Sequence, residues 1–562
     1  MDGDDFLQDP PRLSNTFEAD APLRHTLERL LPADLHARLA GEWRALGEAA
    51  ARELPALARE AERDAPRHVP FDAWGRRVDE VHVSPAWTAL KRRAAAWGLA
   101  ALPYERGLGP FARLHQFALL HLFAPSSAVY TCYLAMTDGA ARTLLEHAGP
   151  ALRERAVPRL TSRDPDAAWT SGQWMTERTG GSDVGGSLTR AAQGTDGTWR
   201  LWGAKWFTSA ITSEMTLTLA RPEGAAEGSA GLSLFYLEPR DADGRPNGLR
   251  VLRLKEKLGT RALPTAELEL AGAAALPVGD LGHGVRKIAP LLNVTRLHNA
   301  VNAAATMARL LHLLRDYARR RRVFGAALAD KPLHRATTAE LAVDYEAALA
   351  LTFECARLLG RQEAGEASPA EAAVLRLVTP LAKLATAKQA VAVASEALEG
   401  FGGAGYVEDT GLPVHLRDAQ VLPIWEGTTD VLSLDVLRVL DAGGLPPWAE
   451  DARARLEALR GGPAEEAAGA AARHLDETLR FAQAARRGEP FTEAAARALA
   501  RRLAWIAAAV PLCEQAAWAA SSGRGTRALA AATRWQGRLP PLPDPARAGT
   551  WLAEADVLAE GA

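Results

Sequence analysis

The chain has 562 residues, 48% hydrophobic and 24% charged, with a formal net charge of −2 at pH 7. That length exceeds a single hydrophobic core and predicts three or four domains, and the near balance of charge excludes a general attraction to nucleic acid or an anionic membrane. Cys132, Cys355 and Cys513 have neither metal-motif nor CxxC spacing, which predicts free thiols in a reducing compartment.

The N-terminus, MDGDDFLQDP, is acidic and has no apolar core, so it reads as no signal peptide and the expected location is cytoplasmic. Residues 1–167 are rich in Ala, Leu, Arg and Glu, with apolar residues at helical spacing, and predict a helical domain. The texture changes near Ala168. Over 168–283, segments such as TLTLA, GLSLFYLEP, LRVLRLK and TAELEL alternate with period two between Gly-, Pro-, Asn- and Asp-rich turns, the pattern of a β domain. Helical periodicity returns over 284–440 in four or five long amphipathic segments, which predicts a bundle. After DAGGLPPW, residues 441–562 are again Ala-rich and read as an added helical domain. Its LAWIAAAVPL stretch is shorter than the roughly 20 residues of a spanning helix, and Pro511 is expected to break it, so no membrane partner is expected.

Five stretches carry chemistry. WMTERTGGSDVGG, residues 174–186, holds a turn whose backbone N–H groups and hydroxyls suit a polar ring edge or a phosphate. KWFTSA follows, with a flat apolar face at Trp206 and a hydroxyl at Thr208 on one face of a strand. RRRRVFG ends a long helix, where a guanidinium could clamp a phosphate. GFGGAGYVED supplies glycines that let backbone approach a ligand. In IWEGTTD, Glu426 lies at an apolar junction before a helix, where desolvation is expected to raise its pKa and suit it to general-base work. Each of the first four stretches alone has an ordinary structural reading: a β-turn, a core tryptophan, a helix C-terminus favouring cations, or a C-cap and loop.

Their order and spacing do not. MTE…GGSDV, KWFTS, EKLGTR, R-R-V-F-G, GGAGY and IWEGT together resemble the acyl-CoA dehydrogenase family, over about residues 80 to 440. PAWTAL, KPLHR, LDVLRVL and the C-terminal extension are similar to its AidB-like, alkylation-response branch. The resemblance implies a mostly α, α+β fold: an N-terminal helical domain, a central β-barrel and a C-terminal helical bundle, with the extra helical domain after it. It implies FAD between barrel and bundle. Met175, Thr176, Gly181 and Ser182 would contact the flavin side, and Trp206 and Thr208 would line the isoalloxazine. Arg321 and Phe324 would reach the cofactor of a neighbouring subunit, Gly402 and Gly403 would approach the adenosine half, and Thr428 would also touch FAD. No metal is expected. Glu426 matches the catalytic base, which takes the α-proton of an acyl-CoA while the β-hydride goes to flavin N5. The thioester carbonyl would be polarised by the Glu426 N–H and a ribityl hydroxyl. A homotetramer and an electron-transfer flavoprotein as acceptor are the family habit.

Glu399 and Lys331 stand where the family often has Gln, and Asp430 where an amide is common. Trp425 replaces a smaller Tyr beside the base and is expected to narrow the acyl pocket, making turnover weak or selective. Two other readings remain at this stage: a protein that sequesters acyl-CoA, and a DNA-binding protein. The DNA partner lacks support from charge, because residues 441–562 hold 15 Arg and no Lys against 15 Asp plus Glu. It would need arginines from ARALARRLAW, GRGTRALAAATRWQGR and Arg438 to converge on one face.

Overall fold

The structure, a computed structural model, describes residues 9–105, 107–485 and 489–560. The chain forms two compact units, each discontinuous in sequence. One comprises Ala49–Gly107 and Phe123–His298; the other comprises residues up to Glu48, Leu108–Leu122 and Asn299 onward.

The first unit opens with helices and a small antiparallel hairpin, β1 (Arg67–Phe71) and β2 (Arg77–His82). The hairpin interrupts a region whose sequence reads as mostly helical. The period-two strands of the 168–283 segment follow: β3 (Ser171–Trp174), β4 (Arg190–Gln193), β5 (Trp199–Ser209), β6 (Met215–Pro222), β7 (Ser233–Leu237), β8 (Leu249–Leu254) and β9 (Thr265–Pro277). The sheet closes on itself: β6 pairs with β4, β4 with β5, β5 with β9, β9 with β7, and β7 returns to β6. Closure removes the strand edges an open sheet would leave unpaired. Trp174, Leu201, Phe235, Leu268 and Leu270 fill one core. On the other face of β6, Met215, Leu217 and Leu219 pack with Leu144, Ala156 and Leu160 of helices Thr131–His147 and Pro150–Leu160. Alternation along β6 thus serves two cores.

The second unit is helical. Pro332–Glu363, Pro369–Gly400 and Thr429–Asp441 form its centre. The second starts with a capping box: the Ser368 hydroxyl accepts from the Glu371 N–H at 3.1 Å, and the Glu371 carboxylate accepts from the Ser368 N–H at 3.0 Å. The described C-terminal residues fall within this unit. Helix Ala496–Ser521 packs against all three central helices. Pro511 lies inside this helix and does not break it. The lost N–H bond and ring clash cost less here than the burial of both flanking turns contributes. By length and composition the helix could cross a membrane, but 78% of its apolar window is buried in the unit, as in the core helix of a globular protein. Cys132, Cys355 and Cys513 are buried and form no disulfide, and burial pushes the Cys513 thiol up to about 12.

Candidate functional site

In the first unit the predicted residues gather around the start of the barrel. β3 ends at Trp174, and the chain turns through 175–182. The Trp206 N–H of β5 donates to the Thr176 carbonyl at 3.0 Å, so the two motifs are joined through backbone. Glu177 and Gly180 exchange two backbone hydrogen bonds that close the turn. A Cβ at Gly181 would lie 2.4 Å from the Thr176 hydroxyl oxygen, so only glycine lets that hydroxyl rest against the turn. Met175 is buried, Thr176 half-buried, and Gly181 and Ser182 exposed. Among the described residues, the N–H groups of Gly181 and Ser182 meet no protein acceptor.

Sequence reasoning missed what holds this turn. Glu177 is buried and accepts from the Leu188 N–H at 2.6 Å, the Thr189 hydroxyl at 2.5 Å and the Lys205 ammonium at 2.9 Å. Lys205 is fully enclosed and also donates to the Leu219 carbonyl at 3.1 Å. Burial alone raises the Glu177 carboxyl, but the Lys205 charge and these donors outweigh it and hold the group below the usual carboxylate range. The signal was present as the E of MTE and the K of KWF, two charges in otherwise apolar or turn-forming stretches.

Trp206 is half-buried, with the Lys255 ammonium 3.7 Å from its ring centroid and the Arg178 guanidinium at 5.2 Å. Thr208 is enclosed, and its hydroxyl donates to the Ala266 carbonyl at 2.6 Å. The β5–β9 register shifts between Lys205 and Thr208. That bulge gives Trp206 and Thr208 different exposures although they are two residues apart.

In the second unit, Glu426 is half-buried at φ 57°, a left-handed conformation unusual for a residue with a Cβ. Gly427 follows at φ 104°, and a Cβ there would lie 3.1 Å from a Leu432 methyl. The fully buried Lys383 donates to the Gly427 carbonyl at 2.5 Å. Thr428 caps helix Thr429–Asp441, its hydroxyl accepting from the Val431 N–H at 3.4 Å. The Trp425 indole N–H donates to the Asn299 side-chain oxygen, which fixes the ring beside Glu426.

Arg321 follows helix Gly284–Arg320, and a two-residue antiparallel hairpin, β10 (Arg322–Val323) and β11 (Ala326–Ala327), carries Phe324 at its tip. Phe324 is 97% exposed at φ 47°. Gly402 at φ 61° and Gly403 are exposed, with open space where a Cβ would stand. The glycine there that steric contact requires is Gly405, where a Cβ would lie 2.1 Å from the Leu398 carbonyl oxygen. Several of the described C-terminal arginines face carboxylates, Arg438 and Arg501 not among them: Arg497 meets Asp430 at 3.3 Å, Arg502 meets Glu477 at 3.6 Å, Arg527 meets Glu346 at 2.7 Å and Arg538 meets Asp344 at 2.7 Å. Arg524 pairs with Glu28, and Arg534 with Glu340.

The sequence matches three family models: the adaptive response protein AidB N-terminal domain over residues 8–167, and the acyl-CoA dehydrogenase middle and C-terminal domains over 172–273 and 282–440. Acyl-CoA dehydrogenase family member 11 of Caenorhabditis elegans is 51% identical over 77% of this chain and 72% of its own length. Putative acyl-CoA dehydrogenase AidB of Escherichia coli is 35% identical over 70% of this chain and 72% of its own. The crystal structure of C. elegans ACDH-11 in complex with C11-CoA superposes with a TM-score of 0.92 at 43% identity, covering 97% of this chain and 94% of that one. A helical N-terminal region, a closed barrel and a helical bundle, each matched by its own family model, place the chain in the acyl-CoA dehydrogenase family, in its AidB-like branch.

Proposed function

We propose that the chain is an FAD-dependent dehydrogenase that oxidises an acyl-CoA thioester between its α and β carbons. The observation that carries this reading is the Glu426–Gly427 junction. A side chain held in the left-handed region costs about 1–2 kcal/mol, and such strain persists where the surroundings fix it for a purpose. Here Gly427, the Lys383 grip on its carbonyl and the Thr428 cap fix it.

The residues present fit the cofactor. Gly181 and Ser182 offer N–H groups without protein acceptors, Thr176 and Ser182 offer hydroxyls, and Trp206 offers an indole face, a donor set suited to the polar edge and flat body of a flavin. Met175, with its polarisable thioether, would pack on the same group. Thr208 would shape the ring site from inside the barrel wall, since its hydroxyl is committed to Ala266. Arg321 and Phe324 would serve the cofactor of a neighbouring subunit in a homotetramer, and Gly402, Gly403 and Thr428 would contact FAD on their own side. When bound, FAD supplies the two-electron acceptor, and electron-transfer flavoprotein is the proposed onward partner.

Glu426 then takes the α-proton at its carboxylate, while its backbone N–H donates to the thioester carbonyl and stabilises the charge that develops there. Trp425, pinned by Asn299, limits the volume beside the base and makes turnover selective among acyl chains. The acyl-CoA complex of ACDH-11 supports the ligand class. The test is anaerobic flavin bleaching with a panel of acyl-CoA esters, in wild type and Glu426→Gln. Bleaching by at least one ester, lost in the variant with flavin retained, is the expected result. A wild type that holds flavin and bleaches with none of them refutes turnover.

A further inference from the structure

A cavity of about 480 Å³ in the helical unit shares no residue with those proposed to hold flavin or substrate. It lies among helices Gly284–Arg320, Pro332–Glu363 and Arg527–Gln536. Its described lining carries Arg315, Arg319, Arg335, Arg527 and Arg534 against one carboxylate, Glu346. Arg527 is spent on Glu346 and Arg534 on Glu340. Arg315, Arg319 and Arg335 have no carboxylate partner among the described residues. Arg315 is half-buried, and burial, then the Arg527 charge, pulls its guanidinium below the usual arginine range. The rest of the wall is apolar, from Ala339, Ala342, Val343 and Ala530, and the pair His334 and Thr338 (3.4 Å apart) adds hydrogen-bonding groups.

Arg524, Arg527, Arg534 and Arg538 each meet a carboxylate, whereas Arg315, Arg319 and Arg335 are left around a concavity. Desolvating Arg315 beside like charge is unfavourable, and the Asp20 and Glu346 charges offset it only in part. The guanidinium fork matches phosphate oxygens in two parallel bonds. The volume lies within the range of small-molecule sites, about 300–1,000 Å³. The charges line a hollow between helices and not a ridge, which suits a small ligand better than a duplex. We propose that this cavity binds a small phosphoester anion, its phosphates on Arg315, Arg319 and Arg335 and its organic body on the Ala339–Val343 wall. A nucleoside diphosphate and the adenosine 3′,5′-bisphosphate end of a coenzyme share this chemistry.

The test is calorimetric titration of the full-length, flavin-saturated protein with ADP, with adenosine 3′,5′-bisphosphate and with inorganic pyrophosphate. One of the two nucleotides should bind more tightly than pyrophosphate, which has no body for the apolar wall, and the tighter one identifies the source. Arg315→Gln or Arg319→Gln should weaken it about tenfold or more, the loss of a charged hydrogen bond, and leave flavin content and acyl-CoA bleaching unchanged. Arg319 is exposed, so its variant keeps the test decisive if Arg315→Gln fails to fold. The proposal is overturned by the absence of binding to flavin-saturated protein, or by binding that survives both substitutions. It is also overturned if a short DNA duplex binds through Arg315 while the small anions do not, or if Arg319→Gln changes only the oligomeric state.

Discussion

Replacing Lys205 with Met tests whether the buried ion pair holds the flavin-facing turn. Lys205 has no exposed surface, and its ammonium lies 2.9 Å from a carboxylate that is itself buried. The variant leaves Glu177 with hydrogen bonds from Leu188 and Thr189 but without its Lys205 countercharge. Removing one partner of a buried pair costs about 3–5 kcal/mol. The direct readout is amide exchange at Leu188 and Thr189, whose N–H groups donate to Glu177. That cost corresponds to a rise in their exchange of about a hundred- to several-thousandfold. The effect depends on pH. In wild type the Glu177 pKa is lowered, so its stabilisation is present above the ordinary value of 4.5 and is lost as pH falls through the lowered one. Without Lys205 the largest lowering cause is gone and burial is opposed mainly by the Thr189 and Leu188 donors, so the gap between variant and wild type is widest at neutral pH and narrows below 4.5. Adding Glu177→Gln should recover much of the loss. Exchange at these amides that rises less than about tenfold, or a gap that widens in acid, refutes the argument.

Glu426→Gln should retain flavin and slow its reduction by the best acyl-CoA by about a hundred- to ten-thousandfold, measured by anaerobic stopped flow. Gly427→Ala, which places a Cβ at φ 104° against Leu432, should cost about 1–3 kcal/mol of stability in urea and slow the same reduction without touching the carboxylate. Phe324→Asp should change folding stability by under about 0.5 kcal/mol, as its ring is almost fully exposed, yet shift the assembly to smaller species in light scattering. For Glu354, burial alone would raise the pKa, but Arg455 and Arg357 bring it down to about 2. Its stabilisation is therefore full above 4.5 and lost as pH falls toward 2, and Arg455→Met should move acid unfolding, followed by circular dichroism, to higher pH.

The local periodicities were legible because each is set by neighbours in sequence. Met215, Leu217 and Leu219 alternate along β6, and Ser368 with Glu371 announces a helix start. Closure of the barrel was legible only through the family resemblance and not in the periodicity, because the short parallel pairing of β6 with β4 joins residues some thirty apart and leaves no local mark. Pro511 misled for a related reason: the rule that proline ends helices weighs local bonds, while this helix draws its stability from burial against three others. The site motifs were placed by their order along the chain, but their supports were not. Lys205 and Lys383 are buried ammonium groups whose partners, Glu177 and the Gly427 carbonyl, lie 28 and 44 residues away.

The neutral balance of residues 441–562 acquires a structural meaning from the same long-range pairing. Arg455 bonds Glu354 of the central bundle and Glu514 of the buried helix, both at 2.7 Å, and Arg29 near the N-terminus reaches Glu514 at 3.4 Å. One C-terminal arginine thus ties together three helices far apart in sequence. An exposed pair contributes little, but Glu354 is 5% exposed and a buried carboxylate that loses its cation is costly. Much of the positive charge in this segment is therefore turned onto the helices it holds. A face attractive to nucleic acid needs arginines left unpaired, and three of those in the helical unit, Arg315, Arg319 and Arg335, line a cavity sized for a small anion.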